Sequence, residues 1–308
     1  MNWTADDLPD LKSKKIIVTG ANSGLGFEAA KEFVLKGATV IMACRNMEKA
    51  EEAAEEIKSE DLEGSLDVLE LDLASLKSIE SFAEEYRKNH NELHVLCNNA
   101  GVMAIPRKET ENGFEYQFGV NHLGHFALTS ELVELLEKTE GETRVVNQSS
   151  GLHESGSLDF DDLMLEDNYD KWKAYGNSKL ANILFTKELD RRLKENDLNI
   201  RSVACHPGYA STNLQYKGPE ESGSRLRLLG MKVANSLFAQ SAAKGALPML
   251  YASTSPDVQG GEYIGPGGFR NMRGYPEKQQ PSNEARDLEV AEKLWNRSED
   301  LTGKSFNI

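Results

Sequence analysis

The chain has 308 residues, 39% hydrophobic and 28% charged, which is enough apolar material for the core of one large α/β domain and contains no run long enough to span a membrane. Its net charge of -15 disfavours nucleic acid and anionic membrane surfaces as partners. Three scattered cysteines, Cys44, Cys97 and Cys205, each close an apolar run; they exclude a disulfide framework and read as buried small hydrophobes in a reducing compartment, with no pair at metal-ligand spacing and hence no expected metal.

No secretion signal is visible in the acidic N-terminal residues, so a cytoplasmic protein is expected. The first periodic stretch is Ile16-Ile17-Val18, a β-branched run that reads as a buried strand. It leads into Thr19-Gly20-Ala21-Asn22-Ser23-Gly24-Leu25-Gly26 and then a helix from Phe27. Gly20 permits the tight turn, Gly24 lets the backbone approach a phosphate, and Gly26 lets the helix lie close to the sheet. The open N–H groups and dipole of that helix suit a pyrophosphate. On this stretch alone, a glycine-rich loop of some other α/β protein is the alternative. A Gly-Lys-Ser/Thr ending is absent, which disfavours a nucleotide triphosphatase.

Gly37 stops the helix, and Ala38 to Ala43 reads as the second strand. Its end, Cys44-Arg45-Asn46, lacks the carboxylate that would receive the ribose hydroxyls of NAD. A guanidinium can clamp a 2′-phosphate, so Arg45 argues for NADP(H) over NAD(H), the alternative being that it caps a surface loop. Met47 to Lys58 reads as a solvent-facing helix, and Leu66 to Leu71 as a third strand. There follow Asp72-Leu73, where the Asp72 carboxylate could meet an adenine amino group, and a helix capped by Ser75. Leu93 to Cys97 is the fourth strand. It enters Asn98-Asn99-Ala100-Gly101, which could hold backbone and ribose or simply make a turn.

Phe114 to Leu136 reads as a long helix carrying Asn121, a polar residue in an apolar stretch that must bridge backbone or order a water. His122 and His125 lack the i, i+4 spacing of a zinc site and are expected to face a partner subunit or solvent. The fifth strand, Arg144 to Ser150, ends in two hydroxyls, and the acidic stretch Gly151 to Tyr169 is expected to lie over the site. In the next helix Tyr175 and Lys179 share one face a turn apart. Ile200 to Cys205 is the sixth strand, ending in His206-Pro207-Gly208. The apolar content of about residues 209–238 suggests a substrate lid rather than a membrane-surface helix. A helix from Gln240 to Tyr251, a short strand at Gly260 to Ile264, a loop from Arg270 to Gln280 and a surface helix from Glu284 to Asn296 complete the chain.

Alternating strands and helices predict a single-domain Rossmann-type doubly wound α/β sheet of about seven parallel strands, with helices on both faces. Its core covers about residues 14–265 and its C-terminal tail about 270–308. The polar singletons fall just past strand ends, where such sheets bind ligands. Among them Tyr175 has the most specific chemistry. A free phenol titrates near 10 and burial raises it, but an ammonium such as Lys179 can lower it by about 1–3 units. The expectation is that the cation prevails and Tyr175 exchanges protons near neutral pH.

The glycine turn, the Asn-Asn-Ala-Gly segment and Ser150 ahead of Tyr175 and Lys179 resemble the classical short-chain dehydrogenases/reductases over almost the whole chain. Ala43-Cys44-Arg45, Val120 to Phe126 and His206-Pro207-Gly208 are similar to the retinol dehydrogenase-like branch. The resemblance implies a catalytic set of Asn121, Ser150, Tyr175 and Lys179, with Ser149 as the alternative serine. It also implies cofactor contacts from Gly20, Asn22, Ser23, Gly24, Leu25, Gly26, Arg45, Asp72, Leu73, Asn99, Ala100, Gly101, Tyr175, Lys179, Pro207, Gly208 and Thr212. Hydride would pass between NADP(H) and a small-molecule carbonyl or alcohol, in this branch a lipophilic aldehyde or ketone. Rivals are reduction of a carbon–carbon double bond, as in protochlorophyllide reduction, and a cofactor-binding sensor or scaffold without catalysis. The family's habit of pairing through long central helices implies a homodimer or homotetramer.

Overall fold

In this computed structural model residues 2–209 and 240–308 are described; Thr212 and all of the expected lid except Tyr209 lie outside the described residues. The strands are β1 (Lys15–Thr19), β2 (Thr39–Cys44), β3 (Ser65–Glu70), β4 (Val95–Asn98), β5 (Thr143–Gln148), β6 (Ile200–Cys205), β7 (Tyr263–Pro266) and β8 (Pro276–Gln279). They form one sheet in the order β3-β2-β1-β4-β5-β6-β7-β8. The first seven are mutually parallel, as the alternation with helices requires, and β8 joins β7 antiparallel. The strand order reverses between β1 and β4, so a crevice opens at their carboxyl ends, where the glycine turn leaves β1.

Helices cover both faces. They are α1 (Gly24–Leu35), α2 (Met47–Lys58), α3 (Leu76–Asn89), α4 (Tyr116–Phe118), α5 (Gly124–Lys138), α6 (Lys171–Glu195), α7 (Ala242–Thr254) and α8 (Leu288–Thr302). The period of two along β1 decides which strand residues meet which layer. Ile16 and Val18 pack with Phe33 of α1, Ile57 of α2 and Leu250 of α7. Ile17 turns the other way, to Phe82 of α3, Phe126 of α5 and Phe185 of α6. All three cysteines are buried and unpaired.

Four expectations change. The loop foreseen over Arg270 to Gln280 contains β8: its alternation is too weak to read in sequence, but the Pro276 to Gln279 backbone completes the sheet edge beside β7. The surface helix foreseen from Glu284 is α8, which starts at Leu288 behind Asp287, whose carboxylate accepts from the N–H groups of Glu289 and Val290. It is not a surface helix throughout, since it buries Leu294 and Trp295, the indole stacking on Phe185 with centroids 5.8 Å apart. His122 and His125 are buried rather than turned to solvent, and burial pushes both imidazoles down to about 3, so both are neutral.

The long helix expected over Phe114 to Leu136 is interrupted. Between α4 and α5, Gly119 to Leu123 is π-helical, a local widening that sits at the segment bearing Asn121. Glycine at position 124 makes the close approach there feasible, because a Cβ would lie 2.5 Å from the Leu73 carbonyl oxygen.

Candidate active site

The carboxyl ends of the strands enclose a cleft of about 1860 Å³ among the described residues. At its phosphate end the turn after β1 is shaped by glycine. Gly20 has φ +66°, and a Cβ on it would sit 2.9 Å from the Ala100 Cβ; Gly24 also has positive φ, at +60°. The helix expected from Phe27 begins at Gly24, and its N-cap, Ser23, makes no side-chain bond to the first turn, leaving those N–H groups open to the cleft. Gly26 has a tighter reason than helix packing: a Cβ would meet the Asn99 Nδ2 at 2.5 Å and the Gly20 carbonyl oxygen at 2.7 Å. The turn is fastened to β4 by Thr19, whose Oγ1 accepts from the Asn99 and Ala100 N–H groups at 2.9 Å, while the Asn99 amide donates to the Thr19 carbonyl at 2.7 Å. A turn in which Gly20, Gly24 and Gly26 have no room or no conformation for a Cβ, beneath a helix start without a side-chain cap, fits the pyrophosphate of a dinucleotide.

Arg45 leaves β2 into the same cleft, beside Asn46 and Lys49. It does not cap a loop. Its Nη1 donates to the Tyr116 hydroxyl at 2.6 Å, and Asn46 provides the cap, accepting from the Lys49 N–H at 2.9 Å. Asp72 and Leu73 also line this end. The Asp72 carboxylate already accepts from the Ala74 N–H at 3.0 Å, so part of its hydrogen-bonding capacity serves the turn. The Tyr116 contact spans 71 residues and no sequence spacing could signal it; the second cation, Lys49, could have been found four residues beyond Arg45 on the helix that follows.

At the other end, α6 carries Tyr175 and Lys179 into the cleft wall facing Ser150 at the end of β5. The Ser150 hydroxyl stands near enough to the Tyr175 phenol to favour its ionised form. It also accepts from the Leu152 N–H at 3.2 Å. Ser149 points elsewhere, donating to the Lys179 carbonyl at 2.8 Å. The Lys179 Nζ lies 5.7 Å from the centre of the Tyr175 ring and donates to the Gln148 carbonyl at 3.1 Å. Asn121 bridges backbone, as one of its two alternatives required: its Oδ1 accepts from the Val102 N–H at 2.8 Å, and its Nδ2 donates to the Val102 carbonyl and to the Ser178 hydroxyl, both at 2.9 Å. Gly101 keeps the space open between Asn121 and Lys179, since a Cβ there would be 3.0 Å from the Asn121 Oδ1 and 3.6 Å from the Lys179 Nζ.

The electrostatics differ from the expected order. Burial pushes the Tyr175 phenol up to about 12, with the Ser150 hydroxyl only partly opposing it. Burial likewise pulls the Lys179 ammonium down to about 8. Desolvation of the phenolate therefore outweighs the nearby cation, and Tyr175 rests as a protonated phenol beside a lysine that is still mostly charged near pH 7.

Beyond β6, Pro207 and Gly208 line the cleft, with Gly208 at φ +65° where a Cβ would clash at 2.4 Å with the Met272 carbonyl oxygen. His206 is buried; its Nδ1 accepts from the Gly208 N–H at 3.2 Å, which leaves Nε2–H to donate to the Gln279 Oε1 at 2.8 Å. Two further residues reach this corner without having been singled out in the sequence, His153 and Tyr263.

Comparison with known proteins gives consistent matches. Residues 14–222 match the family model described as short chain dehydrogenase. Retinol dehydrogenase 14 of Mus musculus is 41% identical over 95% of this chain and 87% of its own length. Retinol dehydrogenase 13 of Homo sapiens is 41% identical over 95% and 86% respectively. A solved structure of an uncharacterised protein from Mycobacterium paratuberculosis superposes with a TM-score of 0.82 at 39% identity, covering all of both chains.

Proposed function

The chain belongs to the short chain dehydrogenase family as a retinol dehydrogenase-like oxidoreductase, and from that premise we propose that it is an NADPH-dependent reductase of lipophilic aldehydes or ketones. The observation that carries this reading is the meeting of Ser150, Tyr175 and Lys179 on one wall of a cleft whose far end holds the glycine cradle and Arg45. The cofactor, when bound, supplies the hydride that reduces the carbonyl carbon or accepts it from an alcohol.

The protein's share is orientation and a proton. The N–H groups at the start of α1 and the glycine turn Gly20 to Gly26 would receive the pyrophosphate. Arg45, held by Tyr116, and Lys49 offer positive charge to a 2′-phosphate, while the end of β2 itself carries Arg45 and Asn46 in place of a carboxylate for bare ribose hydroxyls. The Ser150 hydroxyl holds the substrate oxygen as charge gathers on it, and the Tyr175 Oη gives that oxygen its proton. The Lys179 ammonium stabilises the phenolate left behind and holds the neighbouring ribose. Asn121 holds the Val102 backbone and the Ser178 hydroxyl in place beside Lys179. A phenol that rests protonated is already a donor, so reduction is the direction that needs no prior ionisation. The apolar character of residues 209–238 and the retinol dehydrogenase relatives support a lipophilic substrate.

The test is a panel of aldehydes, ketones and retinoids with NADPH and with NADH, following the reduced nicotinamide and identifying the product. Carbonyl reduction with preference for NADPH is the expected result. A preference for NADH overturns the role given to Arg45, and reduction of a carbon–carbon double bond overturns the assigned bond.

A further inference from the structure

His153 lies outside the set Asn121, Ser150, Tyr175 and Lys179, yet it is buried directly behind Ser150. Its Nε2 accepts from the Ser282 N–H at 3.1 Å. A backbone N–H has no other role than donor, so this bond places the ring's proton on Nδ1. That Nδ1 is 2.8 Å from the Ser150 carbonyl oxygen, which can only accept. The same oxygen receives the His153 backbone N–H at 3.0 Å and the Tyr263 hydroxyl at 3.5 Å. Three donors thus converge on the carbonyl of the residue whose hydroxyl stands beside the Tyr175 phenol. The ring is kept neutral by burial, which lowers its basicity, and its edge meets the Tyr263 ring at 5.2 Å.

We propose that His153 is a positioning residue for Ser150: its Nδ1–H fixes the serine backbone, and Ser282, in the segment following β8, fixes the tautomer that makes this bond. Ser282 lies beyond residues 14–222, so chain outside the matched family region helps to set the geometry of the hydroxyl next to the phenol. The inference rests on the reading of Ser150 and Tyr175 as the proton-handling pair.

Two measurements test it separately from that reading. In the resting protein, nitrogen-15 spectra of labelled histidine, assigned with His153→Asn, should show His153 protonated at Nδ1 and bare at Nε2; the opposite tautomer overturns the proposal without any substrate. In steady-state assays, His153→Leu should lose about 10- to 100-fold in kcat, the scale of a misplaced catalytic group. Its KM should change little, and NADPH affinity by fluorescence titration should be unchanged. His153→Asn, which keeps a donor at the Nδ1 position, should recover most of that loss. A His153→Leu enzyme with full kcat, a loss confined to KM, or an Asn variant as impaired as the Leu variant overturns the assignment. If the wild-type protein turns over no carbonyl or alcohol, the functional reading fails, while the tautomer still decides the positioning bond.

Discussion

Replacing Lys179 by methionine should stabilise the protein while removing most of its activity. The ammonium is buried, 5.7 Å from the centre of the Tyr175 ring, and its pKa falls from 10.5 to about 8. At about 1.36 kcal/mol per unit, a depression of that size means that holding the charged form in the fold costs roughly 3 kcal/mol near pH 7. For a base whose folded value is depressed, stability is greatest above the unfolded value of 10.5 and is lost as pH falls through about 8. Methionine has similar length, carries no charge, and removes one donor from the Gln148 carbonyl, which keeps the Asn182 amide at 3.0 Å. Allowing about 1–2 kcal/mol for lost contacts, the variant should gain roughly 1–2 kcal/mol near pH 7, a rise of a few degrees in Tm. Thermal melts of both proteins across about pH 6 to 10 provide the assay. The variant's advantage should be widest at low pH and shrink as wild-type Lys179 deprotonates. A variant less stable than wild type near neutrality, or a gap that does not change with pH, would refute desolvation as the dominant influence on this lysine.

Tyr175→Phe should cut kcat by about 10²–10⁴ while leaving NADPH binding intact, because only the proton-transferring oxygen is lost; full turnover by this variant sinks the proposed chemistry. Arg45→Asp should weaken NADPH relative to NADH by about 10- to 100-fold, matching one charge-assisted contact of roughly 1.5–3 kcal/mol, read as the ratio of the two kcat/KM values. Tyr116→Phe, which frees the Arg45 guanidinium from its 2.6 Å bond, should produce a smaller shift of the same sign, about threefold. Thiol reagents should leave the native protein unmodified and label it after denaturation, since burial raises the Cys44 thiol to about 11 and the Cys97 thiol to about 12 and Cys205 is fully buried.

Much of the cofactor end was legible in the sequence because its signals are local. A β-branched run, glycines at fixed offsets and a helix start lie within one short stretch, and the missing carboxylate at Arg45 can be read from a single strand end. What could not be read depends on which distant segments meet. The Arg45–Tyr116 bond joins residues 71 apart, and the Ser282–His153 bond joins residues 129 apart. Polarity suggests exposure for His122 and His125, yet both are buried. His125 is satisfied internally, with Nδ1 3.1 Å from the Asn121 carbonyl and Nε2 3.0 Å from the Thr19 hydroxyl, and such compensation is visible only after folding. Strand β8 is not legible in the sequence because Pro276 to Gln279 has no alternating pattern of its own and pairs with β7 across a turn rich in glycine.

At Tyr175 burial outweighs what the neighbouring charge suggests. Counting charges in sequence gives a phenol one helical turn from an ammonium and suggests a phenol that ionises easily. The fold buries both groups, and desolvation acts on each in opposite directions, lifting the phenol to about 12 and lowering the ammonium to about 8. Burial keeps the neutral phenol on Tyr175, and the Lys179 ammonium stays mostly charged near pH 7 despite the same burial: the proton stays on Tyr175 until hydride addition to the carbonyl carbon makes the substrate oxygen basic enough to take it. In the reverse direction the phenol must first ionise, so at a given pH oxidation should lag reduction unless further positive charge enters the cleft beside Lys179. Raising pH through about 8 removes the Lys179 charge and should weaken proton handling in both directions, whereas a mechanism governed by the phenol alone would keep reduction unchanged until about 12. A pH profile of kcat for carbonyl reduction that breaks near the lysine value, and loses that break in Lys179→Met residual activity, separates the two.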